Sequence, residues 1–369
     1  MKIDDSVLRN DEKAVFALRS LYSKYGYSRY RMSKFEEYDL YVRNKDFLIS
    51  DHIITFTDTD GKLMALKPDV TLSIIKNSKD DNKVQKLYYN ENVYRVSKGS
   101  HAFKEIMQLG LECIGNSDDY SVYEVICLAA MSLKTISEDF VLDISNLNVI
   151  SEVLLKMGVS ASIEKDLLKC IGEKNSHGIG EICKKEVIDG SDLMKLVSLY
   201  GAPSDVLPAL TEILGEESEA LLRLKKITMA LSEAGLGGKI NIDFSVINDM
   251  NYYNGFVFKG FINGIATGIL SGGQYDKLMK KMGKKSEAIG FAIYLDSLYA
   301  LSEGETAFDV DTVILYDDNC DMKALSDTVK LFTADGKSAM ALKEVPADLR
   351  YNKLLKMNER GVEIIENRA

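Results

Sequence analysis

Apolar positions change their spacing along this chain, and each change marks a segment. Over residues 11–24, Val15, Leu18, Leu21 and Tyr22 recur at helical intervals, which predicts an amphipathic helix ending at Gly26. Short β-rich runs follow at 53–57 and 63–66, and a helix is expected to start over 71–76. Residues 86–96 and 105–115 predict an antiparallel pair of strands joined by the polar loop 97–102. A long helix over 120–137 then leads into a strand at 140–144. From about 146 to 235 the helical period takes over, as in Val149, Val153, Leu154 and Met157, with Gly or Pro between runs. That segment is read as a helical insertion. Strands are expected again at 239–244, 255–261 and 264–270, then a turn at Gly272-Gly273, and residues 288–301 begin apolar and end as a helix. Residues 302–306 are read as a linker. The tail alternates strand, helix, strand, helix, strand at 311–316, 321–332, 338–342, 351–357 and 361–365, which predicts a small parallel sheet with helices. The expected organisation is thus an α+β core, 1–304, carrying the insertion, and a small α/β domain, 305–369.

Composition narrows what such a protein does. The 369 residues are 46% apolar, enough for the cores of two or three domains. Net charge is −10, against the positive field that a protein gripping nucleic acid by its phosphates needs. The start, Met1-Lys2-Ile3-Asp4-Asp5, lacks the basic and apolar parts of a secretion signal, and no apolar run approaches the ~20 residues of a membrane span. A cytoplasmic protein without membrane contact is expected. Cys113, Cys127, Cys170, Cys183 and Cys320 form no CxxC and are read as reduced structural thiols. His52, His101 and His177 are too scattered for a zinc site or a Ser-His-Asp triad, and Gly283-Lys284 lacks the upstream glycine of a P-loop. No metal and no cofactor are expected.

Four short stretches carry candidate chemistry. On the strand at 105–115, alternation puts Gln108, Gly110 and Glu112 on one face and Met107, Leu109 and Leu111 on the other. An amide and a carboxylate with a glycine between them suit a small ligand rich in donors, such as an amino acid; a solvated sheet face would look the same. Tyr252-Tyr253 precede a strand, so that one phenol packs while the other offers its hydroxyl, or both simply pack. Gly272-Gly273 in Ser271-Gly272-Gly273-Gln274-Tyr275-Asp276 lets something approach the backbone closely, or makes a turn. Lys67-Pro68-Asp69-Val70-Thr71 offers a carboxylate and a hydroxyl before a helix, where an N-cap is the bland account.

The order of these stretches says more than any one of them. Lys67 to Thr71, Val93-Tyr94-Arg95 with 105–112, Asn251 to Phe258, Gly272 to Leu278 and then 288–298 resemble, in that order, the catalytic core of histidyl-tRNA synthetases. The likeness covers about residues 5–300, insertion included. It implies a class II synthetase-like antiparallel sheet flanked by helices, with Asp69, Thr71, Gln108, Glu112, Tyr252, Tyr253, Gly272, Gly273 and Tyr275 as the histidine-binding set and Arg95 as a phosphate contact.

The nucleotide side departs from the synthetases. Asn248 stands where they carry an arginine for the α-phosphate, Ser297 replaces the arginine for the γ-phosphate, and Tyr294 the glycine beside the adenine. The loop after Arg95 is one residue short and lacks the usual proline and arginine, and Ser33 stands for the proline of the dimer-forming motif. Each lost arginine removes charge-assisted phosphate contacts. From 305 to 369 there are 13 acidic and 9 basic residues, which disfavours RNA binding by the tail, although it stands in the place of an anticodon-binding domain. A kept amino-acid side with a lost nucleotide side resembles the regulatory subunits of ATP phosphoribosyltransferase. The resemblance implies a non-catalytic homodimer within a hetero-oligomer, activating a short-form catalytic subunit and mediating L-histidine feedback. A divergent histidyl-tRNA synthetase or paralogue is the alternative, and a stand-alone histidine sensor a third.

Overall fold

The computed structural model describes residues 8–48, 53–80, 83–97, 102–115, 117–247, 252–301, 308–358 and 361–367. It divides into two compact units, Met1–Leu301 and Ser302–Ala369.

The first unit opens with α1 (Asn10–Lys24), β1 (Ser28–Arg29), β2 (Phe35–Glu37), α2 (Tyr38–Val42), β3 (Thr55–Thr57), β4 (Leu63–Leu66) and α3 (Thr71–Asn77). The long hairpin β5 (Gln85–Val96) and β6 (Phe103–Gly115) follows, in the antiparallel register that pairs Tyr89 with Gly110. Next come α4 (Asp119–Ile136), its N-terminus capped by Asp118 accepting the Ser121 amide, and β7 (Phe140–Asn146). The insertion is helical: α5 (Leu147–Met157), α6 (Ala161–Gly172), α7 (Ser176–Glu186), α8 (Ser191–Ser198), α9 (Pro203–Leu214) and α10 (Glu219–Leu231), interrupted by the two-residue β8 (Tyr200–Gly201). Then come β9 (Ile240–Asp243), β10 (Phe256–Ile262), β11 (Leu270–Gln274), α11 (Asp276–Lys281) and β12 (Glu287–Tyr294), which ends in a 3-10 segment, Leu295–Leu301.

Nine of these strands form one sheet in the order β1-β5-β6-β12-β11-β10-β7-β9-β8, antiparallel except at β1–β5 and β7–β9. Burial is two-sided. Leu109, Leu111, Phe258, Phe291 and Ile293 face α1, α4 and the insertion, where most of the core lies. The opposite face is roofed by Tyr41 of α2, Ala65 of β4, Leu72, Ile74 and Ile75 of α3, and Leu278 and Met279 of α11. Because side chains alternate, one register assigns every residue of the central strands to one roof or the other.

Three elements differ from the expectation: the strand expected at 264–270 begins only at Leu270, the Gly272-Gly273 turn is strand, and a tail helix is strand. Gly272-Gly273 is not a turn: it lies inside β11, with Gly272 against Phe291 and Gly273 against Gly290 of β12, and the chain between β10 and residue 270 turns instead. A Cβ on either glycine would meet backbone oxygen or a neighbouring side chain at 2.5–2.9 Å, so tight packing between strands, not a bend, requires them.

The second unit holds β13 (Val310–Leu315), α12 (Met322–Ala334), β14 (Ala339–Leu342), β15 (Tyr351–Asn358) and β16 (Gly361–Asn367), its sheet ordered β14-β13-β15-β16. The segment expected as a second helix, 351–357, is the central strand β15, and β16 runs antiparallel to it, so the sheet is mixed. Leu354 packs into a cluster on one face while Leu355 and Met357 pack under α12 on the other. A strand buried on both sides loses its alternation, and Tyr351, Leu354 and Leu355 then imitate helical spacing. The linker expected at 302–306 lies outside the described residues.

Candidate functional site

The register of the central sheet builds the site in rungs. One rung on the α2–α3 side runs Leu87, Glu112, Gly290, Gly273; the next runs Tyr89, Gly110, Ala292, Ser271; a third runs Glu91, Gln108, Tyr294. Gln108 and Glu112 therefore share one face as expected, but they are buried, at 3% and 2% exposure, so this is not a solvated face. The interval at Gly110 is not empty either. The Tyr89 ring fills it, so that a Cβ there would meet the phenol at 2.2 Å.

Glu112 is the centre of the arrangement. Thr71 Oγ1 donates to its Oε1 at 2.9 Å and the Tyr275 hydroxyl to its Oε2 at 2.7 Å. Gly290 makes room: a Cβ there would lie 1.7 Å from Oε2. Burial pushes the Glu112 carboxyl up to about 8, against the two hydroxyl bonds that favour its charge, and the nearby Asp69 charge adds to the rise.

Asp69 stands just before α3, with Oδ1 accepting the Leu72 amide at 2.9 Å across the helix start, although the cap position itself falls at Val70, which makes no side-chain cap bond. Burial raises its carboxyl also, opposed by that bond and by the Arg95 charge. Tyr252 and Tyr253 lie 4.5 Å apart between ring centroids and Tyr252 lies 5.9 Å from Tyr275, so three phenols line one side. Asp69, Thr71, Glu112, Tyr252, Tyr253, Gly273 and Tyr275 are brought together, while Gln108 shares their face two rungs away, opposite Glu91 and Tyr294. Gly272 is not: it faces the Phe258 and Phe291 rings in the opposite core, as alternation after Gly273 demands.

Three contributors escaped the sequence. Tyr89 and Gly290 enter only through cross-strand pairing, which a local pattern does not carry. The third is Lys67, 1% exposed, whose ammonium is held by Glu91 beside Gln108; it appears in the motif, but nothing there reveals its partner.

The family model of histidyl-tRNA synthetase matches residues 3–298. The ATP phosphoribosyltransferase regulatory subunit of Caldanaerobacter subterraneus subsp. tengcongensis is 31% identical over 301 residues, covering 78% of each chain. That of Clostridium acetobutylicum is 28% identical over 338 residues, 87% of this chain and 83% of the relative. The chain belongs to the ATP phosphoribosyltransferase regulatory subunits, within the histidyl-tRNA synthetase family. It is a non-catalytic paralogue of the synthetases serving histidine biosynthesis, and a divergent synthetase is not favoured. A structure described as an ATP phosphoribosyltransferase regulatory subunit/histidyl-tRNA synthetase from Bacillus halodurans shares the fold with a TM-score of 0.76 at 23% identity, over 96% of this chain and 99% of that one. A chain of the ATP phosphoribosyl transferase (HisG:HisZ) complex from Thermotoga maritima does so with a TM-score of 0.63 at 20% identity, over 77% and 97%.

In such a regulatory subunit the nucleotide end of the face should be altered, and its residues can be placed. Arg95 Nε donates to the Pro68 carbonyl at 3.0 Å, which ties this arginine to the segment carrying Asp69. Tyr294 sits opposite Gln108, on the same face of the sheet as Glu112. Ser297 lies in the 3-10 segment Leu295–Leu301, beside Asp296, which accepts the Met107 amide. Asn248 lies outside the described residues, and so do His52 and His101. No helix among the described residues is long and apolar enough to cross a membrane, and no cluster of His, Cys, Asp or Glu among them could hold a metal ion.

Proposed function

We propose that this chain binds free L-histidine at the Asp69–Glu112 cluster and, as a homodimer within a hetero-oligomer, activates a short-form catalytic ATP phosphoribosyltransferase and conveys histidine feedback to it. The observation that carries the proposal is a buried carboxyl group, Glu112, bonded only by hydroxyls among the described residues and surrounded by phenols on a sheet face. A polar group taken out of water at this depth is costly unless it is fully bonded, and a ligand with several N–H donors completes the set. Asp69 would take the ammonium of histidine, Gln108 and Glu112 its remaining donors, and Tyr253 the face of the imidazole. Tyr252 and Tyr275 would wall the ring, with Gly273 leaving room beneath it. Arg95 would meet the carboxylate or a phosphate at the same end.

Feedback requires that histidine bind one state of the complex better than another, since a ligand with equal affinity for both shifts nothing. Asp69 and Thr71 sit at the head of α3, so a ligand that draws on them pulls on a whole helix of the roof. The test is a mixture of this chain with a short-form catalytic subunit. We expect co-elution as one hetero-oligomer, higher turnover than the catalytic subunit alone, and loss of that gain on adding histidine. Two separate peaks with unchanged turnover would defeat the proposal.

A further inference from the structure

We propose that the Tyr41 hydroxyl is a ligand contact of this site, acting with Asp69 on the ammonium end of the bound amino acid; the inference rests on the histidine-binding proposal. Tyr41 belongs to α2, outside every motif that the synthetase resemblance picks out. Its side chain is fully buried and packs in the same cluster as Tyr89, Tyr252 and Tyr275. Its hydroxyl has no hydrogen-bond partner among the described residues.

A phenol in so apolar a setting ordinarily finds a partner, and leaving one unpaired costs free energy that packing must offset. The acids whose charge reaches the ring are Asp69 first and Glu36 second. Glu36 is already engaged, accepting Ser73 Oγ at 3.2 Å and Lys76 Nζ at 2.9 Å. Asp69 is bonded at Oδ1 by the Leu72 amide and is not ion-paired among the described residues. An unpartnered hydroxyl and an acid that makes no ion pair among the described residues, with only the Arg95 charge acting on it, make a complementary seat for an ammonium. Three N–H donors can be shared between the carboxylate and the phenol oxygen.

Tyr41→Phe deletes only the hydroxyl, so it separates a ligand contact from a packing group. Calorimetric titration of the full-length chain with histidine should show affinity reduced about tenfold, the loss of one hydrogen bond to a charged group. The melting temperature of the unliganded variant should hold or rise, because an unsatisfied buried group has gone. Imidazolepropionate, which keeps the ring and carboxylate but lacks the ammonium, should bind parent and variant alike. Equal affinity for histidine in parent and variant overturns the inference while leaving the histidine site standing. So does an equal loss for both ligands, or a lowered melting temperature, which would show that the hydroxyl has a structural partner. If the parent itself binds no histidine, both this inference and the proposal beneath it fall.

Discussion

The two ends of the sheet face have diverged. Around Glu112 the polar groups are buried and interlocked: Thr71 and Tyr275 bond the carboxyl, and Gly290 leaves it no space to spare. Toward Arg95 and Tyr294 the face carries one guanidinium tied to a carbonyl and a phenol where the resemblance calls for glycine, with Ser297 supplying no charge. An amino acid needs only a compact set of acceptors and rings. Phosphate transfer needs several cations aimed at charge that develops in the transition state. One end can therefore persist when the other is gone, and on the proposed function that is what separates the two ends of this face.

The largest effect expected from that contrast is on adenylation. Removing one preorganised donor costs ~2.7–4 kcal/mol of transition-state stabilisation, so two missing arginines should reduce the rate by roughly four orders of magnitude or more. Histidine-dependent exchange of pyrophosphate into ATP by the pure chain should stay at background. Robust exchange would mean that the nucleotide end still functions and that the contrast is wrong.

A smaller effect concerns the proton on Glu112. The folded chain holds it up to about pH 8, whereas the ordinary value is 4.5, so the folded state binds the extra proton between those limits. Stability from this group therefore falls as pH rises from about 4.5 to about 8 and stays low above that. A tenfold difference in proton affinity between folded and unfolded chain is worth ~1.4 kcal/mol, so several kcal/mol accumulate by pH 8. Glu112→Gln keeps an oxygen for Thr71 or Tyr275 and has no charge to bury. Denaturant unfolding at pH 5 and pH 8 should show the variant gaining on the parent at the higher pH; a parallel pair of profiles would place Glu112 in a wetter setting than its burial indicates.

How much of this was legible in the sequence depends on the range of the interaction. Gln108 and Glu112 on one face, the Asp69 bond at the start of α3 and the helices of the insertion follow from patterns a few residues long. Tyr89 in the interval at Gly110 and Gly290 beneath Glu112 depend on register between strands far apart in sequence, and no local pattern encodes register. The Gly272-Gly273 pair misled because two glycines signal a turn more often than a crowded strand. Strand β15 misled because both of its faces are buried, which erases the alternation that identifies strands.

The smallest effect is the most discriminating, because it compares acids on the same sheet. Asp69 and Glu112 lie within the cluster of phenols. Asp143 lies farther out on β7, 7% exposed, pushed up to about 6 by burial and bonded by Asn241. If any buried acid of the sheet would serve, all three would matter equally to a bound amino acid. If the ligand sits where the tyrosines converge, only the first two should. Asp69→Asn and Glu112→Gln keep shape while exchanging an ionisable acceptor for a neutral one. A charged hydrogen bond contributes ~1.5–3 kcal/mol and a neutral one ~0.5–1.5, so Asp69→Asn should weaken histidine binding about tenfold, and Glu112→Gln, which replaces a carboxyl that burial moves up to about 8, should do so above that pH and by less near neutrality. Asp143→Asn, titrated in parallel by calorimetry, should bind as the parent does. Loss of affinity in Asp143→Asn equal to that in the other two would move the ligand outward along the sheet, away from Glu112. Undiminished binding in Asp69→Asn and Glu112→Gln would leave the cluster as a buried polar network that fills an old amino-acid site with its own hydroxyls.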